Sequence, residues 1–147
     1  MYKHILIPTD GSVTAEKAVQ AGIEFARDAG AKVTWFTAVP EYQLPSETEL
    51  MTKHAVMPEE HNQRSREMAE RILAGPAHRG RAAGVVCETD HAQSNHPYEA
   101  IIAAARQHGC DLIFMSSHGR KLLPALVLGS QTRDVLTHST IPTLVYR

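Results

Sequence analysis

The sequence predicts an α/β fold, an open five-stranded parallel sheet with helices on both faces. Apolar or β-branched runs alternate with stretches of helical periodicity from one end of the 147 residues to the other. Strict strand–helix alternation implies right-handed crossovers, which place helices on both faces of a parallel sheet. No internal repeat interrupts the pattern, so residues 1–147 are expected to form one domain. A chain of this length buries roughly 70% of its unfolded surface and needs no disulfide or metal to hold a core. The strand order is not readable from these patterns.

The first strand is "HILIPTD", an apolar run buried on both sides. Ser12 is the expected N-cap of the first helix. In that helix Ala15, Ala18, Val19, Gly22, Ala26 and Ala29 recur at helical spacing, and Gly30 stops it. Lys32–Val39 is the second strand, ended by Pro40. Pro40 to Pro58 carries no strong period, and a connection this long is often functional or mobile. Two readings stand there, a lid over a crevice and a disordered loop. Within it Ser46 and Glu49 have capping-box spacing, which predicts a short helix through Leu50 and Met51.

Pro58 and two acidic residues open a longer helix. Pro76 has no N–H for the Ile72 carbonyl, which predicts a kink or break there. Val85–Asp90 is the third strand. Tyr98, Ile101, Ile102 and Ala105 mark the buried face of the next helix, with Gly109 as its stop. Asp111–Met115 is the fourth strand, a helix runs from Ser130 to about Thr137, and Ile141–Tyr146 is the last strand. Pro142 favours a sheet edge for it.

Composition excludes several classes. Fifteen Lys and Arg against sixteen Asp and Glu give a net charge of −1, which argues against bulk nucleic-acid or anionic-membrane binding. Cys87 and Cys110 lack metal-ligand or disulfide spacing and read as reduced thiols of a cytoplasmic protein. No signal peptide or membrane-length apolar run occurs. Nine scattered His include no metal-ligand pair. The Walker, dinucleotide GxGxxG and nucleophile-elbow motifs are absent.

Ligands of open α/β sheets bind beyond the carboxyl ends of strands, where the strand order reverses. The first strand ends in Pro8-Thr9-Asp10-Gly11, the second in Val39-Pro40, and the fourth in Ser116-Ser117-His118-Gly119. Farther on, Gly129-Ser130 opens a helix. Gly129 permits close approach, and Ser130 is the expected N-cap. The N–H groups of Gln131, Thr132 and Arg133 would then face an anion along a partial charge of about half a unit. Ser130 and Thr132 add hydroxyls, and Asp10 suits ribose hydroxyls. The same pair also fits an ordinary helix cap, and spacing alone leaves both readings open.

"HILIPTDGS", "CDLIFMSSHGR" and "LLPALVLGSQTRDVLTHSTIPTLVY" together resemble the universal stress protein family. Gly119, nine intervening residues, Gly129 and Ser130 match the second half of the family's nucleotide signature. The family's first glycine falls on Ser116, where a left-handed conformation would cost a Cβ residue roughly 1–2 kcal/mol. The resemblance implies strand order 3-2-1-4-5 and a homodimer through the last strand. It also implies ATP as ligand, with Mg2+ accompanying the nucleotide. Asp10 would meet the ribose and the Val39 backbone the adenine. Gly119, Gly129, Ser130 and Gln131 would hold phosphates. Lys121-Leu122 and Pro124 depart from the family's small or flexible loop, and Arg120 and Lys121 there are read as charges that neutralise phosphates. The expected role is a stress-response regulator or sensor, not an enzyme beyond slow ATP hydrolysis. The alternatives are a dimeric module of the family that binds no ATP and, from another class, a hydrolase of the same superfamily. The latter's Ser-Gly-Gly-x-Asp-Ser loop is missing from "PTDGSVT".

Overall fold

The structure, a computed structural model, describes residues 1–118 and 127–147. Five strands and five helices follow in the order β1 (His4–Pro8), α1 (Val13–Ala29), β2 (Lys32–Val39), α2 (Glu47–Met51), α3 (Pro58–Ala82), β3 (Cys87–Gln93), α4 (Pro97–Gln107), β4 (Leu112–Ser116), α5 (Ser130–His138) and β5 (Thr143–Tyr146). The sheet is parallel, of order β3-β2-β1-β4-β5. β1 and β4 are therefore neighbours, with Ile5 level with Leu112 and Leu6 with Ile113.

Side chains of successive strand residues point to opposite faces, and the core divides accordingly. Ile5, Ile7, Val33 and Trp35 pack with Val19 and Ile23 of α1 and Leu73 and Ala77 of α3. Leu6, Phe36, Ile113 and Met115 pack on the other face with Ile101 and Ala105 of α4 and Val135 of α5. The sheet is thus buried on both sides, which is why β1 and β4 read as continuous apolar runs.

Local signals set most boundaries. The Ser12 side chain accepts from the Ala15 N–H, and Gly30 ends α1 in the left-handed region with φ 65°. Ser46 and Glu49 form a full capping box at α2. Two contacts tie the Pro40–Pro58 connection around that helix. The Tyr42 hydroxyl donates to the Val56 carbonyl at 3.0 Å, and the His61 ring meets the Pro40 carbonyl at 3.0 Å.

Four expectations need correction. The break at Pro76 does not occur: α3 runs on from Pro58 to Ala82. Pro76 is buried on its inner face beside Ala77, so packing outweighs the single lost backbone bond. β3 begins at Cys87 and reaches Gln93, because it pairs with β2 as far as Val39. β5 begins at Thr143, since Pro142 contributes only its carbonyl, which accepts from Ile113 N–H. The N-cap of α5 is Gly129, not Ser130. Among the described residues no helix is long and apolar enough to cross a membrane.

Candidate functional site

The carboxyl ends of β1 and β4 part the chain to opposite faces. β1 leads to α1 on one face, and β4 leads to α5 on the other. Continuing the β1–β4 register brings Thr9 level with Ser116, which places the Pro8–Gly11 turn against the end of β4. The sequence-predicted residues Pro8, Thr9 and Asp10 thus stand at the carboxyl end of β1, and Ser116 and His118 at that of its neighbour β4. Val39 lies at the end of β2, the next strand over. Gly119 and Arg120 lie outside the described residues, as does Lys121.

The turn after β1 is tightly built. Thr9 N–H donates to the Phe36 carbonyl at 2.9 Å, and Thr9 Oγ1 accepts from Gly11 N–H at 3.2 Å. Asp10 Oδ1 accepts from Ser12 N–H at 2.9 Å, which fixes the carboxylate at the mouth of α1. Val39 is buried, and its carbonyl accepts from Ser94 N–H at 2.8 Å.

Ser116 is the last residue of β4, paired with Tyr146. Its φ is not positive; among the described residues other than glycine only Lys53 has a positive φ. Serine in place of the family glycine therefore carries no left-handed strain here. Ser116 Oγ accepts from His118 N–H at 3.3 Å. The His118 ring bonds Ser117 Oγ at 3.0 Å through Nδ1 and the Val127 carbonyl through Nε2. The second contact requires a proton on Nε2, so the Ser117 hydroxyl donates to Nδ1. His118 thus ties Val127 to the end of β4.

At α5 the extended N-cap Gly129 has φ −60° and ψ 150° and offers no capping side chain. Its own N–H donates to the Ser117 carbonyl at 2.7 Å. The first intrahelical bond is Arg133 N–H to Gly129 carbonyl, at 3.0 Å. The N–H groups with no intrahelical acceptor are therefore those of Ser130, Gln131 and Thr132, one residue earlier than expected. Ser130 is exposed. Thr132 is buried, and its hydroxyl donates to the Ser116 carbonyl at 2.9 Å. Gln131 Oε1 accepts from Tyr98 N–H at 2.9 Å. Both side chains hold the crevice wall together, and both positions still present a backbone N–H. Periodicity carries no sign of these two contacts, because each pairs residues distant in sequence.

A second cluster lies at the opposite end of the sheet and was not anticipated. The Thr34 hydroxyl donates to Glu88 Oε1 at 2.7 Å and accepts from His4 Nε2–H at 2.7 Å. His108 bridges Glu88 and Asp90 at 3.2 and 2.8 Å, and Lys32 reaches Glu88 at 2.9 Å. Burial pushes the neighbouring Cys110 thiol up to about 11, so it stays protonated and unreactive at neutral pH. Both cysteines are free. Among the described residues no group of three or more His, Cys, Asp or Glu is placed to hold a metal ion.

The comparisons with known proteins agree with this architecture. A relative from Thermus aquaticus, described as a universal stress protein, is 31% identical over 150 residues and is covered in full, as is this chain. The solved structure of MJ0577, a universal stress protein of Methanocaldococcus jannaschii, superposes with a TM-score of 0.79 at 28% identity. That match covers 99% of this chain and 95% of the other. Two more distant structures share the fold. One is a universal stress protein in complex with cAMP, with TM-score 0.65, 22% identity and coverage of 99% and 97%. The other is from Archaeoglobus fulgidus in complex with dAMP, with TM-score 0.68, 18% identity and coverage of 99% and 98%. The model of the universal stress protein family matches residues 1–147, the whole chain, which therefore belongs to that family.

Proposed function

We propose that this protein is a stress-response regulator or sensor that binds an adenine nucleotide, ATP, in the crevice between the ends of β1 and β4. The observation that carries this reading is the start of α5. Three consecutive backbone N–H groups, Ser130 to Thr132, lack intrahelical acceptors behind an N-cap with no side chain. Such a helix start favours an anion by dipole and by hydrogen bonding. The donor set fits a nucleotide. Backbone N–H groups and the Ser130 hydroxyl suit phosphate oxygens, and the Asp10 carboxylate suits ribose hydroxyls. The end of β2 at Val39 is the position for the base.

That relatives of the same fold are held with cAMP and with dAMP supports the adenine class. Gly119 belongs to the phosphate side by the family pattern, Arg120 beside it in sequence adds a neutralising charge, and Mg2+ accompanies ATP as its counter-charge. Among the described residues none is staged as a general base beside the phosphate positions, and the hydrolysis expected is at most slow. The protein acts in the cytoplasm as a homodimer joined through β5.

Calorimetric titration of the purified chain with ATP and magnesium is expected to give micromolar affinity. No heat at millimolar nucleotide overturns the reading. Gly129→Val is the specific control. The N-cap conformation, φ −60° and ψ 150°, is open to any residue, so the fold tolerates valine while its branches crowd the phosphate. Binding is expected to be lost with an unchanged circular dichroism spectrum.

A further inference from the structure

A cleft of about 420 Å³ lies between α1 and α3 and meets the β1–β4 crevice at Thr9 and Asp10. That volume is within the range of about 300–1,000 Å³ typical of small-molecule sites. We propose that this cleft is a second binding site, for a small molecule that carries both hydroxyl groups and an anionic group, such as a sugar phosphate.

The shape has a sequence cause. α3 approaches the β1–α1 turn so closely that a Cβ on Gly11 would stand 3.3 Å from Ile72 Cγ1. One turn along α3 the wall falls away: a Cβ on Gly75 would meet nothing within 4 Å. Gly75 is followed by Pro76, and both line the cleft with Ile72. Gly and Pro are the two poorest residues for a helix interior, and neither is needed to turn the chain, since α3 continues to Ala82. Together they keep the wall low and deprive the Ile72 carbonyl of the N–H that position 76 would otherwise supply.

The chemistry of the lining names the ligand class. Arg79 pairs with Glu16 across the gap and closes one end. Arg71, also on the lining, makes no hydrogen bond or ion pair among the described residues. Its guanidinium is a fork of donors suited to phosphate or carboxylate. The Asp10 carboxylate and the Ile72 carbonyl are acceptors, suited to hydroxyl donors. Met68 and Ile72 supply the apolar floor beneath a carbon skeleton. The cleft shares Asp10 with the nucleotide crevice but has its own anion partner in Arg71, whereas the anion donors of the crevice are on α5.

The test uses the full chain labelled with 15N and titrated with ribose 5-phosphate to millimolar concentration. Amide shifts are expected at Gly11, Ile72 and Gly75, with those of Ser130 to Thr132 unmoved. Arg71→Ala removes the anion partner. Gly75→Leu starts a bulky side chain at a Cβ position that meets nothing within 4 Å and improves helix propensity. Each is expected to abolish the Gly11 shift while the rest of the spectrum reports an intact fold. ATP added to the same variants reads the crevice separately. Three results overturn the proposal: no shift at the cleft, shifts confined to Ser130–Thr132, or a Gly11 response that survives both substitutions.

Discussion

Gln131 illustrates how one residue can serve a site without offering its side chain to a ligand. Its Oε1 accepts the N–H of Tyr98 at the start of α4, one of the amide groups a helix cannot satisfy itself. His96, the N-cap there, makes no side-chain cap bond, so Gln131 acts as a cap supplied from another helix. Gln131→Ala is expected to destabilise the protein by about 1 kcal/mol, the usual worth of a lost cap, in a urea unfolding curve. ATP affinity should stay the same, because the proposed contact at this position is the backbone N–H. A substitution that weakens nucleotide binding without lowering stability would assign the side chain to the ligand instead. None of this was legible in "GSQTRD". The string shows that a helix starts, and it shows Ser130 as the better capping residue. The choice of Gly129 is made by long-range contacts: the Gly129 N–H to Ser117 carbonyl bond and the Thr132 hydroxyl bond to Ser116 position the turn.

Among elements, β1, β2 and α1 were legible almost to the residue, because a buried apolar run, a following proline and good caps all act locally. α3 was not. Its proline is a strong local stop signal, yet the buried face of the helix, with Ala69, Leu73 and Ala77, packs along the sheet on both sides of Pro76. β5 was legible as an edge strand and is one. It pairs with β4 on one side and carries the part-exposed Tyr146 at its end. A parallel edge left open invites pairing with another chain, and the proposed homodimer covers it. Light scattering is expected to give twice the chain mass. Tyr146→Asp should shift that equilibrium toward monomer, and a monomeric mass for the unaltered protein counts against the dimer.

For the molecule as a whole, three groups at the amino end of the sheet set its response to acid. Burial, and then the Lys32 charge, holds the His4 pKa below its ordinary 6.5. Hydrogen bonds from Thr34 and Lys32 hold the Glu88 carboxyl below 4.5. Burial alone would push Asp111 up, but N–H bonds from Lys3 and His4 outweigh it and leave the carboxyl below 3.8. All three values are depressed in the folded state. Each group therefore contributes stability that is present above its unfolded pKa and lost as pH falls through the folded one. Thermal melts are expected to decline first below about pH 6.5 through His4, then again below about pH 4.5 through the carboxylates. His4→Gln keeps a donor for Thr34 and should flatten the first decline relative to the unaltered protein; identical profiles would exclude His4 as its source.

The parting of β1 and β4 to opposite faces has a mechanical consequence. The turn that carries Asp10 is rooted in the layer of α1 and α3, and the helix that carries Ser130 is rooted in the layer of α4 and α5. The sheet separates these two layers, and each packs its own side chains. A small molecule grasped by both walls is then a rivet through the laminate. It would tie together two layers of packing that lie on opposite sides of the sheet, and its arrival would be felt as stiffness on both faces at once.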